Sequence, residues 1–184
     1  MKLIIKLLLP VLILLAVLCT ASMWLPNQCV VEQVVVLKAP PEEVYAFINN
    51  PAEWPKWTIL NKKTDPSVIH LYAGPMQGKG ARMQWSGDKV GNGQLIITES
   101  TNPYSITYVQ KEEGGEDTTR GEFVLQQVNR GTMVHWKQRT PLADNPLGRV
   151  QGAIRKYKKQ NELQQSLQGL NNLISNNSKR RASK

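Results

Sequence analysis

Cysteine and histidine are nearly absent from this chain. Its 184 residues hold two of each: Cys19 and Cys29, His70 and His135. Cys19 lies in an apolar run and Cys29 just after it, so the two form neither a disulfide framework nor the paired spacing of a metal site. A free thiol at Cys29 is the expectation, with an intermolecular bridge through it as the alternative. No nucleophile elbow is present. Gly74-Pro75-Met76-Gln77-Gly78-Lys79-Gly80 falls one residue short of a phosphate loop and has glycine where the hydroxyl residue belongs, so it reads as a turn. Aromatic residues make up 7% of the chain. Apart from Tyr157 they do not interleave with its basic run, which argues against single-strand nucleic-acid binding. No convincing acid–base pair, metal site or cofactor site emerges.

Acidic residues are also scarce where it matters. From Arg149 to Lys184 there are nine basic residues and one acid, Glu162, which accounts for almost all of the net charge of +9. The basic character is therefore a property of the C-terminal fifth, not of a whole face. A solvated helix face is the plain reading. Contact between these basic C-terminal residues and anionic lipid is the sharper one.

The missing charge at the other end is more informative. Lys2 and Lys6 precede nineteen residues, Leu7 to Leu25, that carry no ionisable side chain except the Cys19 thiol. A span needs about 20 mostly apolar residues. With lysines on the N-terminal side only, a single-pass anchor would leave Met1 in the cytoplasm and the following domain outside it, in a periplasmic or extracytoplasmic space. A signal peptide cleaved after Ala21, giving a secreted domain, is the alternative. The sequence thus divides into an anchor over 1–26, a domain over 27–175 and a basic, disordered tail over 176–184.

Beyond the anchor the pattern changes period. Val30 to Lys38 reads as a strand, and Pro41-Glu42-Glu43 opens a helix whose stripe is Val44, Phe47 and Ile48. The segment Pro51–Trp57 is a second, short helical turn. Six strands follow, near 68–73, 80–86, 93–100, 104–110, 119–127 and 132–140, separated by Gly, Asn and Pro turns. Period-two alternation puts Met83 with Trp85, Leu95 with Ile97, Ile106 with Tyr108, Phe123 with Leu125, and Val134 with Trp136 on one face of an antiparallel sheet. Glu99 shares the parity of Leu95 and Ile97, either as a buried acid or as a strand-end residue in water, the latter carrying more weight. His135 should face solvent. A long helix is expected from about Asn145 to Ile174, with Ile154, Tyr157, Leu163, Leu167, Leu170 and Ile174 inward and Lys156, Lys158 and Lys159 outward. Gly152 lies inward too, where a missing side chain allows close approach or leaves room for a ligand. One helix is too narrow to cover seven strands, so the α+β arrangement encloses a cavity, with the short helices closing one end.

Three stretches carry a resemblance. Val31–Ile48 followed by Asn50-Pro51-Ala52-Glu53-Trp54-Pro55-Lys56-Trp57 is one. Trp85–Asp88 with Val90–Gly93, Ile97–Ser100 and Pro103–Tyr108 is the second. Gly121–Leu125 with Gly131–Trp136 is the third. Together they resemble the polyketide cyclase/dehydrase and lipid-transport family of the START-like (SRPBCC, helix-grip, Bet v 1-like) superfamily. The resemblance implies a helix-grip fold: a seven-stranded curved antiparallel sheet around a long C-terminal helix. The inward residues named above, with Glu99 and Gly152, would line its ligand cavity. Fold alone does not fix the activity. The expected function is membrane-anchored binding of a hydrophobic or lipid-like molecule without catalysis. A cyclase- or dehydratase-like enzyme and an interaction domain with a filled cavity are the alternatives.

Overall fold

The computed structural model describes Thr20 and residues 26–114, 118–143 and 145–182. Its strands are β1 (Gln28–Leu37), β2 (Ile69–Ala73), β3 (Arg82–Ser86), β4 (Gly93–Thr101), β5 (Ser105–Glu112), β6 (Thr118–Val128) and β7 (Gly131–Pro141). They form one sheet in the order β1-β7-β6-β5-β4-β3-β2, every neighbouring pair antiparallel. Helix α1 (Pro41–Ile48) and a 3-10 helix (Pro51–Lys56) connect β1 to β2, and helix α2 (Pro146–Ala182) follows β7. This is the expected helix-grip architecture. The anchor segment, residues 7–25, lies outside the described residues apart from Thr20. Among the described residues no helix is long and apolar enough to cross a membrane.

The register orders the sheet into two ends. Gln28 faces Pro141, Lys111 faces Thr118, Gly93 faces Glu112 and Ile69 faces Ser86. The start of β1 therefore shares one end with the β3–β4 turn and the end of β5. The opposite end carries Leu37, α1 and the β2–β3 turn.

The inward parity read from the sequence holds on five strands. Met83, Leu95, Ile97, Ile106, Tyr108, Phe123 and Val134 are fully buried, and Trp85, Leu125 and Trp136 nearly so. Tyr108 lies across the strand from Gly121, and a Cβ built there would sit 2.0 Å from the Tyr108 ring. Gly93, opposite Trp85, is crowded by the indole in the same way, at 2.4 Å. The two glycines let these rings lie flat over the neighbouring strand.

The 3-10 helix is the plug of the core. Asn50 caps it by accepting a hydrogen bond from the Ala52 N–H. It lays Trp54 and Trp57 against the sheet: Trp54 meets Tyr108 edge-on at 5.1 Å, Trp57 meets Trp136 at 5.9 Å, and Phe123 stacks on Trp136 at 4.6 Å. Both indole N–H groups donate to carbonyls left free at the end of α1, Trp54 to Ile48 O at 2.8 Å and Trp57 to Phe47 O at 3.3 Å. Helix α2 closes over Trp57 at Gly169, where a Cβ would come within 2.2 Å of the Trp57 carbonyl oxygen.

Three expectations about α2 need correction. The helix does not stop near Ile174 ahead of a disordered tail but continues through Ala182. Leu163, Leu167, Leu170 and Ile174 are buried as expected, yet Ile154 and Tyr157 are 71% and 72% exposed. Helical spacing gives the face but not the distance between helix and sheet: Ile154 borders an opening shared with Thr119 and Thr140, and Tyr157 borders one shared with Trp136 and Gln138. Lys159 turns inward instead of outward, drawn by carboxylates described below.

Gly121→Ala is expected to destabilise the domain by about 1–3 kcal/mol, because the added methyl overpacks a buried ring that cannot move away. A lowered urea midpoint at unchanged secondary structure is the readout. An unchanged midpoint would contradict the packing described.

Candidate functional site

The aromatic plug fills one half of the space between α2 and the sheet and leaves the other half open. A cavity of about 470 Å³ remains, walled by Trp54, Trp85, Trp136, Gln138, Leu163 and Ser166. Its rim is formed by Leu60 and Thr64 from the loop after the 3-10 helix, Lys89 and Val90 from the β3–β4 turn, Glu112 at the end of β5, and Tyr157 to Glu162 on α2. A larger depression, about 620 Å³, lies elsewhere, bordered by Ile69, Leu71, Gln84, Ser86, Gln94 and Lys111. Most of those strand residues have outward parity, so it is a groove outside the sheet. The 470 Å³ cavity lies between the two layers, and so does an opening of about 540 Å³ nearer the start of α2, bordered mostly by polar side chains such as Thr119, Thr140, Gln151 and Arg155. The former, with three tryptophans in its wall, is the apolar one, and its size falls in the ordinary range for small-molecule sites, about 300–1,000 Å³.

The candidates from the sequence separate into three groups. Trp85 and Trp136 line the cavity. Tyr108 stands behind it, joined to its wall by hydrogen bonds, while Met83, Leu95, Ile97, Ile106, Phe123, Leu125 and Val134 are core residues. Glu99 and Gly152 do not line the cavity. A bulge between Ile97 and Glu99 shifts the register, so Glu99 loses the parity of Ile97 and its side chain is 68% exposed, 3.8 Å from Arg120. Gly152 is buried, but its space is taken by Leu142: a Cβ would lie 2.2 Å from that side chain. His135 lies on the outer face of β7 and contacts Glu32 across to β1.

Polar groups in the wall are few and mostly satisfied. The Tyr108 hydroxyl accepts from Trp136 Nε1 at 2.9 Å and from Gln138 Nε2 at 2.7 Å. Burial pushes this phenol far above its ordinary pKa, so it is a neutral hydrogen-bonding hub. The Trp85 indole N–H differs: it is buried and has no hydrogen-bond partner. A buried donor left without an acceptor costs about 1–3 kcal/mol.

A charged clamp crosses the mouth. Lys159 Nζ on α2 lies 2.7 Å from Glu112 Oε1 on β5 and 3.1 Å from Glu162 Oε2. Burial opposes the charge on both Glu112 and Lys159, but their mutual attraction wins. The Glu112 carboxyl is held below its usual pKa by Lys159, with help from Arg155 and Lys158, and the Lys159 ammonium is held above its usual pKa by Glu162 and Glu112. These residues, with Trp54, Leu163 and Ser166, were not singled out in the sequence as site residues. Leu163 was visible there only as part of the inward stripe of the long helix and Lys159 only as an outward residue.

Asp65 braces the rim. It is 1% exposed and accepts hydrogen bonds from the Ser67 hydroxyl at 2.6 Å and from the backbone N–H groups of Lys89 and Val90 at 2.6 and 3.1 Å. These bonds, the Ser67 hydroxyl's first among them, hold its carboxyl well below the usual range. A depressed folded-state pKa adds stability that is present above the unfolded value, about 4, and is lost as pH falls below it. Asp65→Asn is therefore expected to lower the urea midpoint at neutral pH, and the gap to wild type should narrow at about pH 3. A gap that is the same at both pH values would contradict this role for the carboxylate.

The comparisons with known proteins agree with this geometry. The family model described as "Activator of Hsp90 ATPase homolog 1-like protein", within the START-like superfamily, matches residues 38–175. A protein of Chromobacterium violaceum is 21% identical, with 79% of this chain and 96% of that one covered and a TM-score of 0.56. CalU16 of Micromonospora echinospora is 17% identical over 83% of this chain and 79% of its own, at a TM-score of 0.53. DynU16, from the dynemicin biosynthetic locus, is 11% identical over 80% of this chain and 47% of its own, at 0.59. At these identities the structures show a shared fold. No curated protein sequence matches the chain.

Proposed function

Because the chain belongs to the Activator of Hsp90 ATPase homolog 1-like family, whose superfamily has a ligand-binding fold, we propose that it binds one hydrophobic, lipid-like small molecule in the cavity beneath α2 and performs no chemistry on it. The observation that carries this reading is the cavity itself: about 470 Å³ walled by three tryptophans and Leu163, lying between the layers and roofed by the Lys159 clamp. Burying apolar ligand surface there is worth roughly 25 cal/mol per Å² before the costs of binding.

The unpaired Trp85 N–H supports a further property of the ligand. It should carry one acceptor oxygen, such as a carbonyl or hydroxyl, placed to meet that donor. The ionisable groups nearby are poorly disposed for catalysis. Tyr108 is held neutral and already accepts two hydrogen bonds, and Glu112 and Lys159 neutralise each other. The nineteen uncharged residues from Leu7 to Leu25 support the companion proposal, that the domain is tethered to a membrane and sits outside the cytoplasm.

The test is a titration of the intact chain with the environment-sensitive apolar fluorophore N-phenyl-1-naphthylamine. Wild type should bind one equivalent with a blue-shifted emission. Ser166→Phe, which fills the cavity from α2, should weaken binding at least about tenfold (roughly 1.4 kcal/mol) while keeping a cooperative thermal transition. Equal binding by both proteins would sink the assignment of this cavity.

A further inference from the structure

The nine basic residues of the C-terminal fifth do not form one surface. The first five, Arg149, Arg155, Lys156, Lys158 and Lys159, precede the buried part of α2, and the other four begin at Lys179. At about 1.5 Å per residue, Lys179 lies about 33 Å along the helix from Tyr157. Lys179 and Arg180 are therefore remote from the first group.

The first group sits at the end of the domain where the chain enters. Leu142 N–H donates to Asn27 O at 3.0 Å, and Gln28 pairs with Pro141, so β1 begins beside the loop that leads into α2. Burial raises the pKa of the Cys29 thiol on β1, and the positive charges of Arg155, Lys156 and Lys159 partly oppose that rise. Only Pro26 and Asn27 separate Leu25, the last residue of the proposed anchor, from β1. Two extended residues reach about 7 Å, within one Debye length of about 8–10 Å at physiological salt. By strand register, the mouth of the cavity shares this end: Glu112, Lys89 and Val90 lie at the same end of the sheet as the start of β1, three or more strands across from it. Ile154 and Tyr157 project from the same stretch of α2, 71% and 72% exposed, flanked by exposed Arg155, Lys156 and Lys158. Two large apolar side chains among cations suit an interface of apolar chains beneath anionic headgroups.

We infer that the first turns of α2, through Ile154, Lys156, Tyr157 and Lys158, rest on an anionic lipid bilayer, so that the cavity mouth opens onto the membrane and its ligand enters from the lipid phase. The inference rests on the tethering proposed above. It assigns the lipid contact to the mouth of the cavity and leaves the four distal basic residues out of it.

The intact chain, with Cys19→Ser and Cys29→Ala and a single nitrobenzoxadiazole label at Tyr157→Cys, is reconstituted into vesicles of phosphatidylglycerol and phosphatidylcholine. A second preparation carries the label at Met76→Cys, in the turn at the opposite end of the sheet, where the native side chain is 82% exposed. A headgroup-linked nitroxide lipid should quench the label at position 157 several-fold more than the label at 76. Lys156→Glu with Lys158→Glu should reduce that difference, and so should neutral vesicles. If alkaline carbonate strips the chain from the vesicles, the tethering reading falls and this inference falls with it. If the chain is retained but both labels are quenched alike, the tether stands and the inference is overturned.

Discussion

A helix about 10 Å across lies over a sheet of seven strands, which at about 4.8 Å per strand spacing is roughly 29 Å wide. One helix cannot cover that apolar face, and the rest of the structure follows from how the deficit is met. The Trp54-Pro55-Lys56-Trp57 segment meets half of it, folding two indoles down onto Tyr108, Phe123 and Trp136. Helix α2 accommodates the insertion by carrying glycine where it crosses Trp57. Part of the remainder is left open, as the cavity and as the opening nearer the start of α2. The plug and the pocket are thus two outcomes of one mismatch, and a longer aromatic insertion would have produced a filled core.

Polar groups around the cavity sort by whether they are satisfied within the protein. The Tyr108 hub ties Trp136 and Gln138 together by accepting a hydrogen bond from each. The clamp of Glu112, Lys159 and Glu162 bridges the sheet and α2 at the mouth, and Asp65 binds the β3–β4 turn to the loop facing it. The Trp85 indole N–H in the wall has no hydrogen-bond partner among the described residues. A site built this way selects for an apolar body with sparse, directional polarity, since a charged group inside would lack a partner for its desolvation.

Much of the fold was legible because strand alternation and turn chemistry are local. Met83 with Trp85, or Val134 with Trp136, announce a face by parity alone, and parity survives folding wherever the ladder is regular. Glu99 shows where it does not: a bulge after Ile97 is set by pairing with β5, which no local pattern records. The site was less legible than the core. Leu163 was read as one member of a helical stripe, and nothing in the stripe says which member faces empty space and which faces Trp57. Lys159 looked outward on the helical wheel until Glu112, 47 residues away, was brought beside it. Ile154 and Tyr157 fit the apolar spacing of the helix but lie where open space separates it from the sheet. Each error has the same source, a tertiary neighbour distant in sequence.

The central claim is that the uncovered half of the sheet holds a small molecule. Native mass spectrometry of the intact chain, with detergent stripped in the gas phase and the retained species identified after solvent extraction, tests it most directly. The account expects a one-to-one complex with an apolar molecule bearing at least one acceptor oxygen. A chain that emerges bare, and stays bare after incubation with a membrane lipid extract, would contradict it and leave the cavity as a packing defect of an interaction domain.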